Sequence, residues 1–421
     1  MSRNPAEIFL ATDPRLRDWL LGFLLAGVLV GLLGSLLIVW QYHIETAPEV
    51  IGLHFLALNA GYVIAAAAAQ RLLLRVAIRS VVLFACAVGL ASLLALSFLV
   101  PPVLPFWRII ALAFVGVSGG ALVTALLYVL EPYYEQAPAA AASLCGVLFG
   151  CGCLLATLIT GATYFMGSVQ IETGLLAIVP LVFFLIYATN QYPAALVAVR
   201  QRRDMAVRES LRDLRSIAAV LFSFLLFFQF GNEWALAGWL PLFLIHRLGS
   251  NPEWAIFALA VYFLALLLGR LGGRALLPHV NHRRLLLVSI VLAMLGYLLL
   301  SFTGSLANAF LAIIVIGAGF GPVYPLVAEN LDDRFSYHPG FYNGIFSVAI
   351  TGAMSAPWLL GYVDAYLGIR YVMLIPASGS LAVFILTLLI MLEARLMGGM
   401  GAATDSQLPS LAGKDSIAGK E

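Results

Sequence analysis

The sequence predicts an all-α polytopic membrane protein whose twelve transmembrane helices form two pseudo-symmetric bundles of six. Three observations lead to this prediction: apolar runs long enough to cross a bilayer, a one-sided distribution of basic residues, and one long polar connection between two similar halves. The 421-residue chain is 62% hydrophobic and only 10% charged. A soluble protein carries about 25% charged residues, so most of this protein's surface is expected to face lipid.

Twelve stretches each reach the length of about 20 residues that a helix needs to cross the hydrocarbon core. The first exceeds the apolar core of a secretory signal, about 7–15 residues, so we expect an uncleaved first span. We name the stretches spans 1 to 12, and they cover residues 19–42, 51–70, 80–100, 107–130, 139–163, 173–190, 217–245, 254–273, 285–303, 306–327, 341–362 and 371–392.

Basic residues lie almost entirely on one side of this row of spans. When the connections are assigned alternately to the two sides, only Arg108, Arg247 and Arg370 of the 23 Lys and Arg fall opposite the chain ends. Basic loops stay in the cytoplasm, so both termini are expected there, in a multi-pass protein of the cytoplasmic (inner) membrane. The basic loops would contact anionic membrane lipids. A net charge of +2 gives no reason to expect a nucleic-acid partner.

The polar connection divides the spans six and six. Its Arg and apolar residues alternate in a way that predicts a partly amphipathic helix on the membrane surface, and the Gly- and Ala-rich end of the chain is expected to be disordered. The predicted order is a cytoplasmic segment 1–18, a bundle 19–190, a linker 191–216, a second bundle 217–395 and a cytoplasmic tail 396–421.

The two halves match each other at an offset of about 200 residues. Gly116 and Gly120 in span 4 correspond to Gly317 and Gly321 in span 10. A parallel repeat of this kind, related by an axis along the membrane normal, occurs in one class of transporters. In span 10, Pro322 and Pro325 are also expected to interrupt or kink the helix.

The loops after spans 2 and 8 carry a second matching feature. The first reads Gln70-Arg-Leu-Leu-Leu-Arg-Val-Ala-Ile-Arg79, and the second Gly269-Arg-Leu-Gly-Gly-Arg274 followed by Pro278-His-Val-Asn-His-Arg-Arg284. Their spacing resembles the inside-loop motif of the major facilitator superfamily, and the resemblance covers about residues 15–395, with Leu74 where the family carries Asp. It implies the major facilitator fold, with bundles that rock about a midplane site, and a gating role for Arg75, Arg79, Gly269, Arg270, Gly273, Arg274 and Arg283.

Within that family, two segments resemble fucose-permease-type sugar porters. They are Gly231-Asn-Glu-Trp234 with Gly238-Trp-Leu-Pro241 in span 7, and Gly319-Phe-Gly-Pro-Val-Tyr-Pro325 in span 10. The resemblance implies a secondary active transporter that moves a small polar solute, such as a sugar, by alternating access. Carriers of this kind usually function as monomers, so we expect a monomer.

Glu233 is the acid that the sequence places well inside a span, about 24 Å along span 7 at 1.5 Å per residue. An acid at a helix centre costs at least about 2.5 kcal/mol to insert. Burial disfavours the charged form of a carboxyl group, so Glu233 is expected to bind and release the proton that drives transport. Gln229 lies one turn away on the same face. The structural alternative is an acid bonded to another helix or to water.

The resemblance implies that spans 1, 4, 7 and 10 line a central cavity. Each candidate also has a structural explanation, such as an interfacial aromatic belt, a snorkelling arginine or a hydrogen bond between helices. No metal site and no cofactor are expected, and the four cysteines are predicted to be packing residues. The candidate substrate ligands are Trp40, Gln41, Asn59, Arg108, Thr124, Gln229, Asn232, Tyr324 and Asn343.

Other functions remain open at this stage. A purely aromatic cavity with one acid would favour an exporter of drugs or amphipathic metabolites, whereas several amides would favour a sugar. The only lysines are Lys414 and Lys420, so there is no Walker motif and ATP is not expected to drive transport. The clustered residues of a membrane-embedded enzyme are missing from the sequence. A non-transporting scaffold or sensor on the same fold is a further alternative.

Overall fold

A computed structural model describes residues 14–134, 138–164, 169–190, 216–276, 279–332, 335 and 339–405, and within these ranges it contains helices and no strands. The predictions for residues 1–13, for residues 191–215 of the linker and for residues 406–421 of the tail lie outside the described residues. The tail was predicted to be disordered from residue 396, but the last helix continues to Asp405. The helices are Pro14–Leu20, Gly22–Gly31 and Leu33–Val39 (span 1), Tyr42–Glu45, Pro48–Leu72 (span 2), Ile78–Phe98 (span 3), Pro105–Tyr134 (span 4), Pro138–Tyr164 (span 5), Val169–Thr189 (span 6), Ile217–Leu248 (span 7), Pro252–Leu276 (span 8), His282–Phe302 (span 9), Leu306–Phe320 and Val323–Asp332 (span 10), Pro339–Leu367 (span 11), Ile369–Tyr371 as a 3-10 turn, and Leu374–Asp405 (span 12).

Across the part of the chain that is described, the spans match the prediction in number. Eleven helices are long and apolar enough to cross a membrane, and a pair bent by 42° between Gly31 and Leu33 brings the number to twelve if it counts as one span. That break in span 1 was not predicted. In span 10 the helix stops at Phe320 and restarts at Val323, where the proline-rich segment predicts an interruption.

Polar caps set the beginnings of several spans. The side chains of Ser216, Asn281 and Ser305 each accept a hydrogen bond from a backbone N–H of the following first turn, which satisfies a donor that has no partner inside the helix. Span 7 ends at Gly249, whose φ of 64° lies in the left-handed region that glycine adopts without strain.

Close glycine contacts give the two halves the same internal packing. A Cβ built on Gly116 of span 4 would lie 1.8 Å from the Leu58 carbonyl oxygen of span 2, so these helices touch backbone to backbone. In the second half, a Cβ on Gly317 of span 10 would lie 3.0 Å from the Tyr262 carbonyl oxygen of span 8. Spans 2 and 4 thus pack as spans 8 and 10 do, which agrees with the repeat seen in the sequence.

The halves meet along two pairs of facing spans, span 2 with span 11 and span 5 with span 8. We call the side of the membrane where span 1 begins and span 12 ends the terminal side, and the opposite one the far side. On the far side the contact is close, because a Cβ on Gly52 would lie 2.8 Å from the Trp358 carbonyl oxygen. Toward the terminal side, span 5 also packs against the last part of span 10, Val323–Asp332. A cavity lies between these contacts.

Candidate functional site

The cavity is built by both halves, and the space between its walls is about 1060 Å³, including the open solvent at its mouth. Ten of its lining residues are aromatic, and Glu233 and Arg270 are the charged ones. The full lining is Phe23, Val30, Tyr62, Val123, Leu127, Leu130, Cys145, Gly146, Phe149, Gly150, Cys153, Phe230, Glu233, Trp234, Ala237, Tyr262, Phe263, Leu266, Arg270, Tyr324, Tyr342, Phe346 and Ile350.

Glu233 lies in this lining, on the middle of span 7, and only 8% of it is exposed. Its Oε1 atom accepts a hydrogen bond of 2.7 Å from Nε2 of Gln229, one helical turn earlier. Its Oε2 atom lies 3.5 Å from Nη2 of Arg270. A buried charge needs a partner of opposite charge and hydrogen bonds to its remaining atoms, and these two residues provide both.

Arg270 comes from span 8 and connects the two halves of the protein. Its Nη1 donates to the carbonyl oxygen of Gly146 in span 5, while its Nη2 faces Glu233 in span 7. The small residues Gly146 and Gly150 leave room for the guanidinium, since a Cβ on Gly150 would lie 3.2 Å from Nη1. The Nε atom of Arg270 is buried and has no hydrogen-bond partner. The sequence grouped Arg270 with the gating loop, whereas the structure places it in the cavity.

Of the predicted ligands in spans 7 and 10, one lines the cavity and two lie behind its lining. Tyr324 lines the cavity and stacks near Phe230, with the ring centroids 6.0 Å apart. Gln229 bonds to Glu233 and is not part of the lining. Asn232 points away from the cavity, because its Nδ2 lies 3.4 Å from the Ser380 hydroxyl of span 12.

Three other predicted ligands, Asn59, Thr124 and Gln41, lie outside the lining. Asn59 donates to the Phe55 carbonyl oxygen of its own helix, and Thr124 is buried within span 4. Gln41 is exposed, with a φ of 60° at the turn after span 1. The side chain of Asn343 is not among those described.

Arg108 and Trp40 form a separate cluster on the far side. The guanidinium of Arg108 lies 5.4 Å from the ring centroid of Trp40 and 5.0 Å from that of Tyr42. Its Nη2 also donates to the Val103 carbonyl oxygen at 2.6 Å. Although Arg108 begins a span at the interface, only 3% of it is exposed. The ion pair of Glu233 is made with Arg270, so the structure does not bring Arg108 to that carboxylate.

Most of the predicted gating residues have structural contacts. Arg79 donates from Nε to the Tyr187 carbonyl oxygen at 3.1 Å and from Nη2 to that of Ala188, so it holds the C-terminal end of span 6, where a positive charge is favourable. Gly269 and Gly273 pack against span 10. Arg283 lies in the first turn of span 9, where its backbone N–H donates to the side-chain oxygen of the cap residue Asn281. Arg75 is exposed. The side chain of Arg274 is not described.

Sequence reasoning missed a second buried acid, Glu172 in the first turn of span 6, which is 0% exposed. The predicted span began one residue later, at Thr173, so the acid was counted with the loop. The available signal was that apolar residues stand on both sides of Glu172, with Ile171 before it and Leu175 and Leu176 after it. All four cysteines are free. No group of three or more His, Cys, Asp or Glu side chains suited to a metal is found in the described part of the chain.

Two bundles of membrane-spanning helices with a cavity at their interface, and a charged pair inside it, have the architecture of a membrane transporter. A sequence profile of the Major Facilitator Superfamily matches residues 19–351, and the chain belongs to that family. It is therefore a multi-pass secondary transporter and not an enzyme. No curated protein matches the chain in sequence.

Solved structures share the fold at low sequence identity. A mutant of the nucleoside transporter NupG is 13% identical, with a TM-score of 0.68, and the match covers 90% of this chain and 100% of that one. A D-xylose–proton symporter is 14% identical with a TM-score of 0.71, covering 88% and 96%. The Major Facilitator Superfamily transporter FucP, in an outward conformation, is 18% identical with a TM-score of 0.64, covering 89% and 98%.

Proposed function

We propose that this protein couples the movement of a small organic solute to protons by alternating access, with Glu233 as the proton-binding acid. The observation that carries the proposal is the ion pair between Glu233 and Arg270, which lies inside the cavity and bridges spans 7 and 8. A proton bound to Glu233 removes the negative charge that faces Arg270. The guanidinium, whose Nε atom already has no partner, is then available to an acceptor group of the solute.

The chemistry of the lining supports a flat, partly apolar solute over a sugar. The sugar interpretation rests on amide donors, and neither Gln229 nor Asn232 belongs to the lining. Aromatic side chains make up ten of the 23 described lining residues, including Phe149 and Trp234, which meet edge to face with ring centroids 6.1 Å apart. We therefore favour an aromatic or amphipathic solute that carries an anionic or strongly accepting group for Arg270. A solute of this kind matches the exporter alternative. The gradients of the proton and the solute would decide whether transport is inward or outward.

The position of the pair gives protonation a way to act on the rocking motion. Arg270 also donates to the carbonyl oxygen of Gly146 in span 5 of the other half. While Glu233 is charged it holds the Arg270 side chain in this bridging position. When Glu233 is neutral, only the bond to Gly146 remains, so the link between the halves is weaker and a bound solute decides which arrangement is favoured.

The test begins by finding a ligand. Purified protein is screened for thermal stabilisation by sugars, nucleosides, organic acids and amphipathic cations, because a ligand that binds only the folded state raises the apparent stability. A radiolabelled form of the best ligand is then followed in proteoliposomes under an imposed proton gradient. We expect uphill uptake in the wild type, and uptake that Glu233→Gln abolishes while exchange across the membrane is partly retained.

The matched control is Glu253→Gln, which removes an acid from the first turn of span 8, outside the cavity. It is expected to leave uphill uptake unchanged. Uphill uptake that survives Glu233→Gln would show that Glu233 is not the coupling acid. Stabilisation by sugars alone would replace the aromatic solute with the sugar interpretation. A protein that moves none of its ligands would instead be a scaffold or sensor.

The proposal also includes the orientation and the assembly. The one-sided distribution of basic residues supports cytoplasmic termini, in a protein of the cytoplasmic membrane. The cavity is complete within one chain, which supports a monomer as the working unit.

A further inference from the structure

Glu172 is a fully buried acid outside the cavity that the proposed transport cycle does not use. It is 0% exposed and lies inside the first half of the protein, where span 6 packs against spans 1, 3 and 5. Neither of its carboxyl oxygens has a hydrogen-bond partner of normal geometry. A carboxylate in this state would be both desolvated and unpaired, which is among the most costly arrangements in a protein interior.

The hydroxyl groups beside Glu172 direct their hydrogens to other acceptors. Thr160 of span 5 is the side chain that interacts with the carboxyl group, but its single hydrogen is directed to the Ala156 carbonyl oxygen at 3.0 Å. Ser35 of span 1 directs its hydrogen to the Leu32 carbonyl oxygen at 3.0 Å or to Thr160 at 3.1 Å. Each hydroxyl has one hydrogen and two acceptor lone pairs. While Thr160 donates to Ala156, the hydrogen of a bond between Glu172 and Thr160 therefore comes from Glu172.

Among the described residues, no charged group offers Glu172 an alternative partner. The described parts of span 1 from Gly22 to Val39 contain no titratable residue. Span 3 carries Arg79, which binds the opposite end of span 6, and Cys86. Span 5 carries only Tyr164 and three cysteines, and none of these groups contributes to the electrostatics of Glu172. The amide dipoles at the start of span 6 favour an anion, but this effect is much smaller than the cost of burying an unpaired charge.

We propose that Glu172 is a second proton-binding site, in which the protonated carboxyl group donates to the Thr160 hydroxyl oxygen. The chain Glu172–Thr160–Ser35 leads to the Leu32 carbonyl oxygen, at the break in span 1. When the proton leaves to water, the Thr160 hydrogen turns from Ala156 to the new carboxylate. The Ala156 carbonyl oxygen loses its donor in that exchange, while Ser35 keeps Thr160 as an acceptor, and this bond connects the site to the bend of span 1.

Infrared spectroscopy of the full-length protein in lipid nanodiscs tests this assignment. At neutral pH we expect a band of a neutral carboxyl group in the wild type that is lost in Glu172→Gln and kept in Glu233→Gln. Thr160→Val removes the acceptor without changing the size of the side chain, and we expect it to move the band to higher frequency. If Glu172→Gln removes intensity from the carboxylate bands and leaves the neutral band in place, Glu172 is ionised and the proposal is wrong.

Thr160→Val and Ser35→Ala each give a reading that does not require Glu172→Gln to fold. If Glu172→Gln does not fold, the frequency shift in Thr160→Val identifies the band alone, and a band that does not move contradicts the proposal. Ser35→Ala breaks the connection to span 1, so we expect the carboxyl band to exchange faster after transfer to D2O than in the wild type. An unchanged exchange rate would refute the link to the bend. None of these measurements depends on Glu233, so they are independent of the proposed coupling.

Discussion

Removing Arg270 is the perturbation that tests the cavity most directly. Arg270→Gln eliminates the ion pair with Glu233 and the bond to the Gly146 carbonyl oxygen. Loss of one partner from a buried pair costs about 3–5 kcal/mol, because an unpaired charge is left behind. We expect a loss at the lower end, about 3 kcal/mol, since Gln229 still donates to the remaining carboxylate.

The double variant Arg270→Gln with Glu233→Gln gives the discriminating measurement. It leaves no charge in the cavity, and its remaining defect is a carbonyl of span 5 without its donor, worth about 1 kcal/mol. It should therefore be more stable than Arg270→Gln alone by about 2 kcal/mol. The assay is the thermal midpoint of the purified proteins in one detergent, with the two single variants and the double variant measured side by side. Non-additivity of this kind is the signature of residues in direct contact.

A different ranking would refute the reasoning. If the double variant is less stable than either single variant, by the sum of their separate losses, Glu233 and Arg270 act independently. The ion pair would then be incidental to the folded state, and the bridging role given to Arg270 would fail with it.

Three other predictions follow from separate parts of the structure. Gly116→Ala should destabilise the protein by at least about 2 kcal/mol, because its Cβ would overlap a carbonyl of span 2, while Gly174→Ala, where the space is open, should be neutral in the same thermal assay. Burial, followed by the nearby His246, lowers the pKa of His43. The folded state therefore binds a proton at His43 less readily than the unfolded chain, so stability should fall as the pH drops through the usual histidine range. In a pH series of thermal midpoints, His43→Gln should reduce this fall. Arg108→Met should cost about 2 kcal/mol of stability through the loss of its contacts with two rings. The apparent KM for the solute should stay unchanged. A large change in KM would place Arg108 in the transport path.

The membrane architecture could be predicted because it depends on local composition. A run of apolar residues forms a helix in lipid whatever it packs against, since every backbone group must be bonded inside the segment. The pairing of Gly116 with Gly317 could also be read from spacing, and the structure places both at equivalent close helix contacts. The break in span 1 at Leu32 could not be predicted, because neither proline nor a charged residue marks it.

The residues of the candidate site could be predicted from the sequence only in part. Glu233 could be singled out because an acid within an apolar run is costly wherever its helix points. Its partner could not be identified, since Arg270 belongs to a segment whose spacing resembles a loop motif. Glu172 was assigned to a loop because a span boundary was misplaced by one residue, within the usual uncertainty of helix ends. Asn232 was instead wrongly included as a ligand, because it adjoins Glu233 in the sequence but faces span 12 in the structure.

The sequence by itself determined which segments enter the membrane, how the halves repeat and that span 7 carries an acid, because these properties follow from the hydrophobicity and length of each segment. Only the tertiary structure decided that Arg270 meets Glu233 across the cavity, that aromatic rings and not amides form the wall, and that Glu172 is enclosed without a donor. The physical reason is that the face a helix presents, and the depth at which its side chains meet those of a neighbour, are set by packing between helices far apart in the chain. A change of one residue in register turns a side chain about 100° around its helix, which is enough to exchange a cavity ligand for a packing residue.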